Sequence, residues 1–155
     1  MGGYVMDDLI KLLDQNLKLL ENNIEGDRLY LYVESNRTHV KCPFCGTFST
    51  KVHSTYERSF QDLPIQDKKV MVVLNNRKMF CHNQGCPRKT FAERFDFIDY
   101  KSKKTKRLED TIREVSLNCS TISASNTLTR NIVNVSRTTI SNLLKKQLQS
   151  SKKQD

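Results

Sequence analysis

Four cysteines in two pairs place the strongest constraint on how this chain of 155 residues can fold. The first pair lies in Cys42-Pro43-Phe44-Cys45-Gly46 and the second spans Cys81 to Cys86, so the spacings are C-x2-C and C-x4-C. A short turn of this kind presents two thiolates to one ion, and Zn(II) favours four soft ligands in a tetrahedron. The sequence therefore predicts a zinc ribbon in which one structural Zn(II) is held by Cys42, Cys45, Cys81 and Cys86.

Other interpretations of these cysteines are a redox Cys-x-x-Cys motif and two fortuitous pairs. A redox motif needs a βαβ context, which this section of the chain lacks. Catalytic zinc is disfavoured because a four-cysteine site has no open position for water. His53 and His82 are possible substitute ligands, but beside four cysteines we expect ordinary surface histidines. The fifth cysteine, Cys119, is expected to be a buried free thiol.

The net charge of +9 is spread unevenly along the chain. Residues 1–27 carry 2 basic and 6 acidic side chains, residues 28–100 carry 12 and 7, and residues 101–155 carry 12 and 4. The basic excess therefore peaks at the C-terminal end, as expected for a polyanion-binding segment.

Several classes of protein are excluded by composition. No run approaches about 18 apolar residues, so the sequence predicts no membrane span. The acidic N-terminus lacks the basic region of a secretory signal, and cysteines without an export signal favour metal over disulfides. We therefore expect a cytoplasmic protein with no membrane partner and no small-molecule substrate.

Leucines at three- and four-residue steps predict an amphipathic helix over residues 4–24, so that residues 1–27 form an N-terminal helical segment. Packing of this helix on the rest of the protein is the favoured role, and a homodimer contact is the alternative. The stripe consists of Leu9, Leu12, Leu13, Leu17 and Leu20, extended by Ile24.

Residues 28–100 are predicted to be a small β module that carries the zinc ribbon. Apolar alternation predicts strands over 29–33, 51–59 and 69–80. Asp62-Leu63-Pro64 is predicted to form a turn, because Pro64 removes a hydrogen-bond donor from the ladder.

Helical periodicity begins after a basic linker, which the sequence places at residues 101–107. Helices are predicted from Leu108 to Leu117, over 120–131 and over 136–148, followed by a polar tail at 150–155. The predicted fold class is thus α+β, with an amphipathic helix, then a β-rich zinc ribbon, then a helical domain over 108–149.

The last predicted helix has two contrasting faces. Ser136 is a good N-cap, and Ile140, Leu143 and Leu144, with Gln147 or Leu148, form an inward stripe. Ala124 and Leu128 suit packing in the helix before it. This arrangement resembles a helix-turn-helix, whose second helix reads base edges in the major groove of DNA. The alternative is a plain helical bundle with solvated charges.

Two groups of side chains are the candidates for contacts with double-stranded DNA. The first lies on the outer face of the last helix and the second in the linker: Arg137, Thr138, Ser141, Asn142 and Lys145, then Lys103, Lys104, Lys106 and Arg107. Basic residues of the ribbon are predicted to add phosphate contacts, namely Arg77, Lys78, Arg88, Lys89 and Arg94.

Taken together, residues 9–148 resemble the N-terminal part of the ISL-three family of bacterial insertion-sequence transposases. The resemblance rests on motifs in a fixed order and at fixed spacing. These are Cys42-Pro43-x-Cys45-Gly46, Lys51-Val52-His53-Ser54-x-Tyr56-x-Arg58, Asp62-Leu63-Pro64, Val70–Leu74, Arg77-Lys78-x-x-Cys81-x-Asn83-x-x-Cys86 and Lys89-Thr90-Phe91-x-Glu93-Arg94.

The resemblance implies a nucleoid-associated bacterial protein that recognises the terminal inverted repeats of an insertion element. Family members continue into an RNase H-like domain whose acidic triad binds two metals. This sequence stops at Asp155, and Glu109, Asp110 and Glu114 share one short helix, so we expect DNA binding without an enzymatic activity. A homodimer or a separate catalytic transposase chain is then the expected protein partner. The alternatives are a transposase that acts alone, a protein-interaction adaptor, and a transcription-factor-like DNA binder derived from a transposase.

Overall fold

A computed structural model describes residues 2–152 and shows an α+β protein. In chain order its elements are α1 (Gly2–Leu13), β1 (Leu17–Glu25), β2 (Arg28–Ser35), β3 (Val40–Lys41), β4 (Phe48–Ser49), β5 (Val52–Ile65), β6 (Lys68–Phe80), β7 (Thr90–Ala92), α2 (Lys106–Leu117), α3 (Thr121–Asn131) and α4 (Arg137–Ser151).

Strand β6 is the centre of the main sheet, whose order is β1-β2-β6-β5. It forms an antiparallel hairpin with β5, pairs in parallel with β2 over Lys69–Asn75, and pairs with β7 over Lys78–Phe80. Strands β3 and β4 form a separate two-stranded sheet. The β-rich middle section predicted from the sequence is therefore present.

One face of the main sheet forms the largest core. Alternate residues of β6, namely Val70, Val72 and Leu74, are fully buried together with Phe60 of β5. Ile10 of α1 packs on this face, and so does the segment after β7 that contains Phe95, Phe97 and Ile98. The period-2 pattern of the strands thus matches burial on one side.

The prediction of one helix across residues 1–27 is wrong beyond residue 13. Helix α1 ends at Leu13, Asp14 accepts a hydrogen bond from the backbone N–H of Asn16 at 2.8 Å, and the chain then enters β1. The register of β1 shifts near Leu20, and of the predicted stripe only Leu17 is buried in this strand, while Leu20 and Ile24 are exposed. The predicted boundary at residues 27 and 28 therefore falls inside the β1–β2 hairpin.

The predicted turn at Asp62-Leu63-Pro64 is also wrong. Strand β5 continues to Ile65, and the reversal occurs at Gln66, whose φ is +54°. Pro64 lies where the β5–β6 pairing is irregular, between Asp62 and Ile65. Because an irregular site of this kind needs no ladder donor, proline is tolerated there.

Residues 101–107 are not a free linker, because they are hydrogen-bonded to the sheet. The backbone N–H of Gln61 donates to the carbonyl of Lys103, and the N–H of Thr105 donates to the carbonyl of Gln61, both at 2.9 Å. Thr105 is fully buried and is the N-cap of α2, so Lys106 and Arg107 already belong to that helix.

Asp62 links this segment to strand β5. Its carboxylate accepts a hydrogen bond from the Thr105 hydroxyl at 2.7 Å and one from Nε of Arg107 at 2.8 Å, with a second guanidinium contact to its other oxygen. Asp62 is 3% exposed. The hydrogen bond to Asp62 raises the pKa of Arg107 above its ordinary value. We refer to Asp62, Thr105 and Arg107 as the Asp62 clamp.

Helices α2, α3 and α4 lie where the sequence predicts them and share a second core. Ser136 caps α4 by accepting a hydrogen bond from the N–H of Thr139, as its sequence position predicts. The core is made of Leu108, Ile112, Ala124, Leu128, Val133, Val135 and Ile140, and Leu63 of β5 packs against it. The predicted tail at 150–155 starts inside α4, and residues 153–155 lie outside the described part of the chain.

No helix within residues 2–152 is long and apolar enough to cross a membrane.

Removing the carboxylate of the Asp62 clamp tests how firmly the helices are attached to the sheet. We expect Asp62→Ala to lower the free energy of unfolding by about 2 kcal/mol, because the buried Thr105 hydroxyl and the half-exposed Arg107 guanidinium lose a charged partner. The matched control is Asp110→Ala, which removes a carboxylate that is 70% exposed and also pairs with an arginine, Arg113. We expect the control to cost below about 1 kcal/mol. Urea denaturation measures both, and equal changes would contradict the clamp.

Candidate metal centre and DNA-binding surface

Two tight turns bring the four predicted ligands together. In the first, the N–H of Cys42 donates to the carbonyl of Thr47 at 2.8 Å and Gly46 adopts φ +78°, a conformation that favours glycine. In the second, the N–H of Cys81 donates to the carbonyl of Lys89 at 2.8 Å. The first turn joins β3 to β4 and the second joins β6 to β7, so each lies at the end of a strand pair as predicted.

The sulfur atoms have the geometry of a zinc site. All four Sγ atoms lie within 4.8 Å of one another, with Cys42 and Cys86 at 3.9 Å and Cys45 and Cys81 at 3.5 Å. A regular tetrahedron with Zn–S bonds of about 2.3 Å places its sulfurs about 3.8 Å apart. The four cysteines therefore fit one structural zinc ion, which confirms the predicted cofactor.

The pKa values of the clustered thiols also indicate a site for a cation. The hydroxyl of Thr47 is the main cause that lowers the pKa of Cys45 to about 6. The N–H of Asn83 lowers the pKa of Cys81, but burial and the neighbouring cysteines outweigh it and raise that pKa to about 12. Four thiols this close cannot all lose their protons without a positive ion between them, and a coordinated zinc keeps them deprotonated.

The histidines stay outside this cluster. His53 and His82 are exposed and lie against the Phe80 ring, with centroid distances of 4.9 and 6.4 Å. Cys119 is exposed in the turn between α2 and α3, where its thiol donates to the carbonyl of Val115 at 3.1 Å. The expectation of a buried Cys119 is therefore wrong, because the residue falls between two helix caps rather than on an inner helix face.

A buried ionic network joins the ribbon to the main sheet. Glu93 has a side chain that is 0% exposed, and it accepts hydrogen bonds from Arg77 at 2.8 and 3.1 Å and from Arg37 at 3.2 Å. Ser35 donates to the same carboxylate at 2.5 Å. Arg77 was a predicted phosphate contact, but the structure gives it this internal partner instead.

Two of the four linker candidates also have carboxylate partners. Arg107 is held in the Asp62 clamp, and Lys106 lies 3.6 Å from the carboxylate of Asp99. Lys146 of α4 donates to Asp99 at 3.0 Å, and this hydrogen bond lowers the pKa of Asp99. Arg107 thus attaches α2 to strand β5, and the two lysines attach α2 and α4 to the segment between β7 and α2 that contains Asp99. The side chain of Lys103 is exposed and that of Lys104 is half-buried.

The outer face of α4 brings its five candidates together. Four of the five side chains are exposed and Ser141 is half-buried, while Ile140 on the opposite face is fully buried. Helix α4 contains no acidic residue. The predicted inward stripe was to be completed by Gln147 or Leu148, but both residues are exposed. The set on the outer face is Arg137, Thr138, Ser141, Asn142 and Lys145.

Sequence reasoning missed Asp62 and Glu93, the two buried carboxylates that organise the module. Each lies in a motif that was used only for its order and spacing. In residues 28–100, 12 of the 19 charged side chains are basic. An acidic residue among so many cations could have been identified from the sequence as a candidate ion-pair partner.

Comparison with known proteins supports the zinc ribbon. Residues 38–86 match the family described as the zinc-finger of transposase IS204/IS1001/IS1096/IS1165. The chain is also similar to the transposase for insertion sequence element IS1001 of Bordetella parapertussis, with 30% identity over 83 residues. The match covers 54% of this chain and 20% of that relative. The predicted resemblance to insertion-sequence transposases is confirmed at this level. No solved structure matches.

Replacing a ligand should remove the metal, whereas replacing the lone cysteine should not. We expect Cys42→Ser to lose the one equivalent of zinc and to unfold the ribbon, because a structural site contributes its binding free energy to folding. Cys119→Ser is the matched control and is expected to keep both. Zinc content by atomic emission and a thermal melt measure the two effects. Full zinc content in Cys42→Ser would contradict the assignment.

Proposed function

We propose that this chain is the DNA-binding portion of an insertion-sequence transposase and recognises the terminal inverted repeats of its element. The observation that carries the proposal is the outer face of α4, which presents polar and basic side chains with no acidic residue in the helix. The transposase-type zinc ribbon in the same chain supports the biological setting.

Helices α3 and α4 are proposed to act as a helix-turn-helix. Five residues, 132–136, separate the two helices, and the Ser125 hydroxyl donates to the carbonyl of Val135 at 2.8 Å, which fixes the turn. Arg137 and Thr138 lie at the N-terminal end of α4, the end that reaches base edges in this motif. The exposed N-terminus of the helix also favours a phosphate through its free N–H groups.

We also propose that these residues bind DNA without cutting it. Of the carboxylates on α2, Glu109 accepts a hydrogen bond from Ser102 at 2.6 Å and pairs with Arg113 at 3.3 Å. Asp110 pairs with the same arginine. Carboxylates engaged in this way on one helix do not form the open pair of metal sites that strand transfer requires.

Duplex binding by α4 provides the test. We expect Arg137→Ala to weaken binding to a duplex with the element's terminal repeat by about 1–3 kcal/mol and to relax base preference. Lys145→Ala should lower the slope of log K against log[salt] by about 0.9 if that lysine neutralises one phosphate. Fluorescence anisotropy over a salt series measures both.

The control for these variants is Lys152→Ala, on the C-cap of α4 and about 22 Å along the helix from Arg137. It removes the same charge as Lys145→Ala and is expected to change neither specificity nor affinity by more than about twofold. Equal binding by wild type, Arg137→Ala and Lys145→Ala would contradict the role of α4.

A second candidate function is contact with another protein chain through β1. This strand is an edge of the main sheet, opposite the edge at β5, and its Leu20 and Ile24 are 52% and 61% exposed. Edge strands with free backbone groups readily accept another strand. In a transposase the occupant would be a second copy or a catalytic chain.

Sedimentation velocity tests whether two copies of the chain associate through β1. We expect wild type to self-associate and the double variant Leu20→Lys, Ile24→Lys to sediment as a monomer, since charge on an edge strand blocks pairing. A monomeric wild type would exclude the homodimer.

A further inference from the structure

The end of the ribbon around the metal centre carries a concentration of unpaired positive charge. We call residues 40–51 and 78–94 the zinc tip. The metal centre itself contributes about −2, since four thiolates surround one Zn(II). The acidic side chain of the tip is Glu93, which is buried and bound to Arg77 as described above, so the six cations of the tip outweigh the metal centre. None of these cations forms an ion pair with any of the residues that the structure describes. They are Lys41, Lys51, Lys78, Arg88, Lys89 and Arg94.

The zinc tip also exposes an aromatic ring in a fixed position. Phe44 lies between the metal ligands Cys42 and Cys45, so its backbone is held by the zinc turn, and it is 47% exposed. The guanidinium groups of Arg88 and Arg94 lie 5.6 and 5.7 Å from the ring centroid. A large apolar side chain is thus kept at the surface beside two cations instead of being packed in the core.

A second aromatic ring of the tip, Phe80, also has a cation beside it. The ring of Phe80 has Lys51 Nζ at 5.4 Å, and exposed His53 and His82 lie against it. A ring with a cation within about 6 Å therefore lies near each cysteine pair.

We propose that the zinc tip binds DNA that has unpaired bases. A base would stack on Phe44, and Arg88, Arg94 and the tip lysines would hold the adjacent phosphates. Aromatic platforms within a basic surface are the means by which proteins bind single strands without reading sequence. The cations alone would suit any polyanion, including a duplex or an acidic protein. The exposed ring favours unpaired bases, since their faces are free to stack whereas paired bases in a duplex are covered by their neighbours.

This inference rests on the proposed function in treating the protein as a DNA binder, and it assigns a different form of DNA to a different surface. Duplex is assigned to α4 and unpaired bases to the zinc tip. The two assignments can be tested separately in the full zinc-loaded chain.

The experiment compares Phe44→Ala with Tyr100→Ala in anisotropy titrations of a labelled 12-nucleotide single strand and of the terminal-repeat duplex. Tyr100 is a matched control outside the tip, because it is 83% exposed and also has a cation, Lys101 Nζ, 5.4 Å from its ring. We expect Phe44→Ala to weaken single-strand binding about 5- to 150-fold, the loss of one stacked base. We expect duplex binding to change less than about twofold, and Tyr100→Ala to bind both DNAs like wild type.

A further variant keeps the test valid if alanine disturbs the turn. Phe44→Leu retains an apolar side chain but no ring, and it should lose single-strand affinity while keeping one equivalent of zinc. Arg137→Ala should show the opposite pattern, with duplex binding lost and single-strand binding retained. Single-strand binding by Phe44→Leu equal to wild type would overturn the inference, as would equal losses on both DNAs. Either result leaves the Arg137 test of α4 unaffected.

Discussion

Mutual repulsion among four closely spaced thiolates is the constraint on which the ribbon depends. The buried core around the cysteines is small, consisting of Val40, Cys42, Met79 and Phe91. A core of this size does not offset the entropy of ordering two turns and their strands. The coordinated ion replaces the repulsion with attraction and joins segments that lie about 40 residues apart in the chain. We therefore expect folding of the two cysteine turns to be coupled to binding of their metal.

Two buried carboxylates then fix the ribbon to its neighbours. Glu93 ties the strand after the second cysteine pair to Arg77 in the middle of the sheet and to Arg37. Asp62 ties the far end of β5 to the start of α2. Each carboxylate is satisfied by a guanidinium and a hydroxyl, which is the condition under which buried charge is tolerated. Basic residues in this protein therefore serve two purposes, since some hold the fold together and others are free at the surface.

Features were predicted correctly where the signal lies within a few neighbouring residues of the sequence. The zinc ligands were identified because coordination chemistry fixes their type and spacing, and α4 because Ser136 and the stripe containing Ile140 are local signals. Strand β1 was missed because Leu17, Leu20 and Ile24 match a helical period, although only Leu17 of the three is buried and the segment pairs with β2. The pairing of Lys106 and Arg107 with acidic residues was missed because each partner lies on another element. A count of charges cannot separate a bound cation from a free one.

The β5–β6 hairpin has a consequence for the distance between the zinc turns and the first helix of the helical domain. Strand β5 runs from Val52, which pairs with Met79 in the core around the cysteines, to the Asp62 clamp at the start of α2. Ten residue steps of about 3.3 Å make this part of the strand about 33 Å long. The distance between the zinc turns and the start of α2 is thus set by a strand and not by a flexible segment. Because side chains alternate between faces, it can change only in steps of two residues, or about 7 Å, without turning the core side of the sheet outward.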